Sequence, residues 1–297
     1  MTDTVLTGTV LRGIGGFYYV AGDDGTEYTL RAQSKIRHVH VKPMVGDKVE
    51  FVPGNGEEEG WMKAILPRKN ELVRPPVSNI DAVVLSVSAS VPEADLLLID
   101  RLLLSARQKG IEVFLAVNKC DEDGENARLI SEQYRACCAG VFAVSAKTGE
   151  GTNALRTALS GRIHAFAGQS GVGKSSLINA LYGLTLDTGD ISRKIERGKH
   201  TTRSSCLIPV DGGGAVLDTP GFSLLESDLI EPVKLQELYP EFLPYADKCR
   251  FSPCCHDAEP DCAVKEALSA GIIDGERYER YKLLLSEMKE RWNKRYD

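Results

Sequence analysis

The chain has 297 residues, 42% of them hydrophobic and 26% charged, with 36 Lys+Arg against 42 Asp+Glu and a net charge of -6. That length exceeds what one hydrophobic core usually organises, so two or three domains are expected, and the acidic balance excludes a protein that coats nucleic acid by bulk charge. No apolar run approaches the ~20 residues of a bilayer-spanning helix, and Met1-Thr2-Asp3-Thr4 lacks a basic region followed by an apolar stretch, so secretion is not expected and the cytoplasm is the expected compartment.

In chain order, 5–11, 17–20, 27–31, 48–52 and 61–66 read as short strands, punctuated by Gly13, Gly15-Gly16, Asp23-Asp24-Gly25, Gly46-Asp47 and a Gly-rich stretch at 54–60. Five such strands predict a small closed barrel, the OB-fold being the five-stranded case, with an SH3-like barrel as the alternative. Pro67 and Pro75-Pro76 bracket a polar linker. Beyond it, near-continuous apolar strands at 81–87 and 112–117 alternate with helical stretches at 97–109 and 151–159. That alternation predicts a mostly parallel α/β sheet with crossover helices. After about 233 the strands stop, a Cys/His cluster appears, and 278–296 reads as a charged amphipathic helix. The domain division expected is 1–72, 73–233 and 234–297.

Gly168-Gln169-Ser170-Gly171-Val172-Gly173-Lys174-Ser175 fits the G-x4-G-K-[ST] phosphate loop, between a strand at 163–167 and a helix opening at Ser176. The glycines let backbone N–H groups turn toward phosphate oxygens at a positive helix end, Lys174 brings charge to the β and γ phosphates, and Ser175 can ligate Mg²⁺. Asp218-Thr219-Pro220-Gly221 follows a strand at 215–217. Alone it is a common turn; beside a phosphate loop, Asp218 can hold Mg²⁺ and the Gly221 amide can meet the γ-phosphate.

Asn118-Lys119-Cys120-Asp121 ends the strand at 112–117 and selects guanine over adenine. Asp121 accepts from the guanine N1–H and exocyclic amine, a donor pair that adenine lacks. Lys119 would lie along the base, and Asn118 would tie this loop to the phosphate loop. Ser145-Ala146-Lys147, after the strand at 141–144, can set the Ala146 amide against guanine O6.

Both base motifs precede the phosphate loop, the order of a circularly permuted GTPase. Together with 168–176, Gly198-Lys199-His200-Thr201-Thr202, Asp218 to Gly221 and the Cys/His cluster, they make the chain resemble the TRAFAC GTPases, and among these the bacterial small-ribosomal-subunit GTPase family called RsgA or YjeQ. The resemblance implies an OB-fold, a permuted GTPase domain and a zinc domain, with GTP hydrolysis during late maturation of the 30S subunit, 16S rRNA among the partners and a monomeric chain. A GTP-gated binding module with incidental hydrolysis is the alternative. Permutation changes the wiring: the segment after Gly221 runs directly into the C-terminal region, so γ-phosphate loss could move it.

Cys249, Cys254, His256 and Cys262 form C-x4-C-x-H-x5-C, a Cys3His set suited to one closed tetrahedral zinc. Cys255 has no assigned part and could compete with Cys254. The other four of the eight cysteines are scattered, as expected of a reducing compartment, and Cys137 and Cys138 read as packing. Of Phe17, Tyr18 and Tyr19, alternation puts at least one in the barrel core. Arg31, Lys35, Arg37, His38, His40 and Lys42 make a basic loop that suits RNA phosphates or is merely solvated; Arg193, Lys194, Arg197, Lys199 and Arg203 make a second basic run.

Phe222 stands where many GTPases carry a water-orienting glutamine, and phenylalanine can neither accept a proton nor orient water. His200 is the candidate catalytic replacement, with a loop-shaping or partner-binding role as the alternative. Thr202, before Arg203, is the expected Mg²⁺ ligand, and Thr201 the alternative.

Overall fold

The computed structural model describes residues 4–33, 42–55, 58–73, 75–186, 205–218 and 228–295. The first five strands, β1 (Leu6–Ile14), β2 (Phe17–Gly22), β3 (Glu27–Ala32), β4 (Lys48–Val52) and β5 (Gly60–Ile65), close into a barrel of order β1-β2-β3-β5-β4. This is the OB order, with β3 and β5 the parallel pair. Alternate side chains face one core: Val10, Val20, Leu30, Val49, Phe51 and Met62 are wholly buried. Each contributes roughly 1.5–3 kcal/mol of burial free energy.

The presumed polar linker instead holds a hairpin of β6 (Glu71–Leu72) and β7 (Val77–Ser78). Its order comes from polar side chains bonding to backbone and to one another, which no apolar pattern announces. Asn70 donates to the Ile80 carbonyl at 2.8 Å and accepts from the Ile80 N–H at 3.0 Å, and Ser78 donates to buried Asp47 at 2.7 Å. Arg68 also donates to Asp47, through Nε at 2.7 Å and Nη2 at 2.9 Å.

The remaining elements are β8 (Ala82–Ser88), α1 (Leu96–Gln108), β9 (Glu112–Asn118), α2 (Gly124–Tyr134), β10 (Gly140–Ala143), α3 (Thr152–Leu159), β11 (Ile163–Gly168), α4 (Lys174–Tyr182), β12 (Cys206–Pro209), β13 (Ala215–Asp218), a 3-10 helix (Pro232–Leu238), α5 (Leu243–Ala246), α6 (Ala263–Ser269) and α7 (Gly275–Asn293). Strand order is β10-β9-β8-β11-β13-β12. β10 pairs with β9 and β11 with β13 in parallel; β12 is an antiparallel edge strand ending on Pro209, a residue tolerated only at an edge. All seven residues of β8 are buried, as a strand covered on both faces requires. α2 is capped by Asp123, whose side chain accepts from the Asn126 N–H; its mostly polar sequence, with only Ala127, Ile130 and Tyr134 buried, hides it from an apolar count.

The chain forms two compact units, one of Met1–Val84, Thr152–Ala167 and Gly173–Leu224, the other of Leu85–Gly151, Gly168–Val172 and Leu225–Asp297. The second contains the whole C-terminal region and the base motifs. There α7 meets α1 through buried charge: Arg277 donates to Asp100 and Glu241, Arg280 donates to Asp100 at 2.7 Å, and the Tyr134 hydroxyl donates to Asp100 at 2.6 Å. Asp100 is wholly buried and Arg277 is 2% exposed.

Candidate functional site

β11 ends at Gly168, where φ is 136° and a Cβ would sit 2.2 Å from the Ser86 carbonyl oxygen, so only glycine fits. Gly173, left-handed at φ 90°, caps α4, and Lys174, Ser175 and Ser176 form its first turn. A strand, a glycine-bent loop and a helix N-terminus thus succeed one another, the arrangement that presents amides to an anion. Lys174 and Asp218 line a small cleft with Phe166, Ile178, Leu186, Ile208, Val216 and Leu217. Burial shifts both away from their charged forms, lowering the Lys174 ammonium and raising the Asp218 carboxyl. A polyphosphate would restore the charge on the lysine and a divalent cation that on the aspartate.

On the base side, Asn118 is 2% exposed at the end of β9. Its amide donates to the Val172 carbonyl of the phosphate loop at 2.9 Å, and its oxygen accepts from the Ala146 N–H at 3.0 Å. One side chain therefore ties the guanine motif, the phosphate loop and Ser145-Ala146-Lys147. Ser145 is wholly buried and its hydroxyl accepts from the Thr148 N–H at 3.1 Å, which closes the turn that presents Ala146. Asp121 and Lys147 are exposed, and Lys119, left-handed at φ 63°, donates its ammonium to the Val91 carbonyl. Gln169 accepts from the Asp95 N–H at 3.2 Å.

His200, Thr201, Thr202, Gly221, Phe222 and the basic run 193–203 lie outside the described residues, as does 34–41 of the first basic loop. The described chain resumes at Asp228, whose N–H donates to the Gln108 side chain at 2.8 Å and whose carbonyl accepts from the same amide at 3.1 Å. In the barrel, Tyr18 packs on the core, whereas Phe17 lies under the Arg31 guanidinium at 4.5 Å and Tyr19 under that of Arg12 at 4.2 Å. Cys137 is buried and Cys138 partly so.

The Cys249, Cys254 and Cys262 sulfurs and the His256 ring nitrogen lie within 4.8 Å of one another. Cys249 Sγ is 3.8 Å from Cys262 Sγ and 3.6 Å from His256 Nδ1; Cys254 Sγ is 3.9 Å from Cys262 Sγ, and His256 Nδ1 is 3.3 Å from Cys262 Sγ. Tetrahedral Zn–S bonds of ~2.3 Å give edges of about 3.8 Å, close to these four separations, so this group could hold a metal ion. As thiols they resist ionising: burial pushes Cys254 up to about 12 and raises Cys262. A bound cation reverses that by taking the thiolates as ligands.

Gln236 was not legible as part of this group. Its Oε1 meets His256 Nε2, which leaves Nδ1 as the nitrogen that could face a metal, and its amide donates to the Cys254 carbonyl at 3.1 Å. A glutamine 20 residues upstream carries no spacing signal. Cys255 lies outside the four-residue group; its N–H donates to Glu259 at 2.9 Å and its carbonyl accepts from Tyr281 at 2.6 Å. Among the described residues no helix is long and apolar enough to cross a membrane.

A phosphate loop between β11 and α4, with its guanine loops earlier in the chain, an OB-type barrel before them and a Cys3His group after, defines a circularly permuted GTPase. The model of the RsgA GTPase family matches residues 65–228, and that of the RsgA N-terminal domain matches 7–62. "Small ribosomal subunit biogenesis GTPase RsgA" of Caldanaerobacter subterraneus subsp. tengcongensis is 45% identical, covering 98% of each chain, and that of Geobacillus thermodenitrificans is 44% identical over 96% of this chain and 98% of its own. Among solved structures, YjeQ from Thermotoga maritima aligns with a TM-score of 0.84 at 36% identity over 96% of this chain and 99% of its own. YloQ, described as a circularly permuted GTPase, aligns at 0.81 and 32% identity over 97% and 96%. The chain belongs to the RsgA GTPase family and is a GTP-hydrolysing enzyme of the ribosome-biogenesis class.

Proposed function

We infer that this GTPase binds the 30S ribosomal subunit, 16S rRNA included, and hydrolyses GTP during late maturation of that subunit, with turnover stimulated by it. The observation that carries the nucleotide site is Asn118, bonded at once to Val172 and Ala146. The subunit is taken from the relatives' name. Asp121 reads the guanine edge, Lys119 lies along the base, and the Ala146 amide meets O6 beside Ser145 and Lys147. The loop 168–173 with Lys174 and Ser176 holds the phosphates. Ser175, Asp218 and Thr202 are the groups for Mg²⁺, which when bound neutralises charge developing on the β and γ oxygens. Gly221 senses the γ-phosphate.

His200 orients the attacking water, since Phe222 has no group to do so. In this reading the chain works as a cytoplasmic monomer of three domains, 1–72, 73–233 and 234–297, with one zinc on Cys249, Cys254, His256 and Cys262. The test is GTP turnover at saturating GTP, with and without 30S subunits. The expected result is slow basal hydrolysis accelerated by the subunit, abolished by Lys174→Ala, and with the acceleration lost in His200→Ala while GTP affinity stays. Absence of turnover in both conditions would leave only a GTP-gated binding module.

A further inference from the structure

The segment 88–95, between β8 and α1, lies beside the guanine motif without belonging to it. It is tied to that motif at several points. The Ala89 N–H donates to the Asn118 carbonyl at 2.8 Å, and the Ala89 carbonyl accepts from Asn126, on the helix that follows the motif, at 2.7 Å. The Ser90 hydroxyl donates to the carboxylate of Glu122, the residue after Asp121. Its other end meets the phosphate loop: the Asp95 N–H donates to Gln169 at 3.2 Å, and the Pro92 ring lies 3.6 Å from where a Cβ on Gly171 would stand.

At the centre is one backbone oxygen. The Val91 carbonyl accepts from the Lys119 ammonium and also from the Ser88 hydroxyl, at 3.3 Å. Ser88 is wholly buried, and its oxygen accepts in turn from the Ser90 N–H at 3.1 Å. The hydroxyl is therefore held from both sides and fixes where the carbonyl points. Lysine is a compact charge on a flexible four-carbon stem, and its rotamer freedom must be given up when it lies along a base. A carbonyl already set to receive its ammonium removes part of that loss before the nucleotide arrives.

We propose that Ser88 is a positioning residue for guanine-nucleotide binding, holding the Val91 carbonyl as the rest for the Lys119 ammonium. The proposal rests on the assignment of Asn118–Asp121 as the base site. This device touches nothing specific to the γ-phosphate, so GTP and GDP gain from it alike.

The experiment is a titration of the full-length protein with fluorescent GDP and a non-hydrolysable GTP analogue, for the parent, Ser88→Ala, Ser88→Thr, Lys119→Ala and the Ser88/Lys119 double variant. Ser88→Ala should weaken both nucleotides by the same roughly three- to tenfold factor, the worth of one well-placed hydrogen bond. The loss should appear as faster dissociation and a raised KM, with kcat shifting by less. Ser88→Thr, which keeps the hydroxyl, should restore most of the affinity. In the Lys119→Ala background Ser88→Ala should cost nothing further. An additive loss in the double variant, or full affinity in Ser88→Ala while Lys119→Ala binds weakly, overturns the positioning role and leaves the base site standing. Unchanged affinity in Lys119→Ala removes the base site itself, and the proposal with it. If Ser88→Ala fails to fold, Glu122→Gln, which loosens the exposed end of the same segment, must show a smaller loss that again vanishes with Lys119.

Discussion

The barrel and the C-terminal region solve the same problem of small size by different chemistry. The barrel closes five strands over six wholly buried apolar side chains, so its stability is spread over many equivalent contacts. The C-terminal region has no sheet among its described residues. Its core is a set of stacked rings, with Tyr239 and Phe242 centroids 5.1 Å apart and Tyr281 edge-on to both at 4.9 Å. Beside these rings lie the Cys3His group and the buried Arg277–Asp100 pair. Apolar burial degrades gradually when one side chain is cut, whereas a metal group or a buried ion pair fails as a whole.

The largest effect expected from this contrast is metal removal. Structural zinc sites carry on the order of 10 kcal/mol or more of folding free energy. Chelation, or Cys249→Ala, should therefore expose the C-terminal region to proteolysis and lower its aromatic near-UV signal, with a protected N-terminal barrel fragment remaining. Elemental analysis of carefully purified protein should find about one zinc per chain. Loss of the barrel fragment together with the C-terminal region would abolish the contrast.

Next in size is Arg277→Ala. It removes the donor to Glu241 and one donor to Asp100, and leaving a buried carboxylate short of a partner costs about 3–5 kcal/mol. Arg277→Lys should recover little, because an ammonium cannot reach both carboxylates as the planar fork does. Urea unfolding followed by Trp292 fluorescence in a Trp61→Phe background, which silences the barrel's tryptophan, measures this. The barrel counterpart is Leu30→Ala, expected at about 2–5 kcal/mol according to how far the core collapses into the space left. Milder barrel variants should scale with the methylenes removed, while milder variants at Arg277 should not.

How much was legible follows the same line. The barrel strands were visible because inward and outward residues alternate within a few positions, and the nucleotide motifs because each is a contiguous run ending a strand. The Cys/His group was visible because its four residues share one short stretch. The Arg277–Asp100 pair, 177 residues apart, was hidden because a charged residue on a helix ordinarily means a solvated face. The hairpin at 71–78 was missed because its order rests on Asn70 bonding to the Ile80 backbone across the turn and on Ser78 bonding to Asp47, 31 residues away. Lys119 meets a carbonyl, and a carbonyl is the same at every position, so no residue type could announce Val91.

The smallest effect expected belongs to a buried titrating group on the phosphate-loop strand, and it tests whether neutral polar burial behaves like the barrel or like the C-terminal region. His164 on β11 is wholly buried. Nδ1 meets the Arg162 carbonyl at 3.1 Å, so that nitrogen carries the proton, and Nε2 is left to accept from the Tyr182 hydroxyl at 2.8 Å. Burial lowers the pKa of this imidazole below its ordinary 6.5, the Arg162 carbonyl opposing in part. The unfolded chain then binds a proton at a higher pH than the folded one, so this residue adds no pH dependence well above 6.5 and subtracts stability as pH falls through 6.5 toward the folded pKa. Melting temperature should drop between pH 7.5 and 5.5 more steeply in the parent than in His164→Gln, which keeps a neutral donor, and by no more than a few °C at ~2–4 °C per kcal/mol. Saturating GTP should raise both melting temperatures and leave the difference between the two slopes, because binding to the folded state adds the same free energy to each protein. Equal slopes in the two proteins would mean that the folded chain admits the proton at His164 as readily as the unfolded one does.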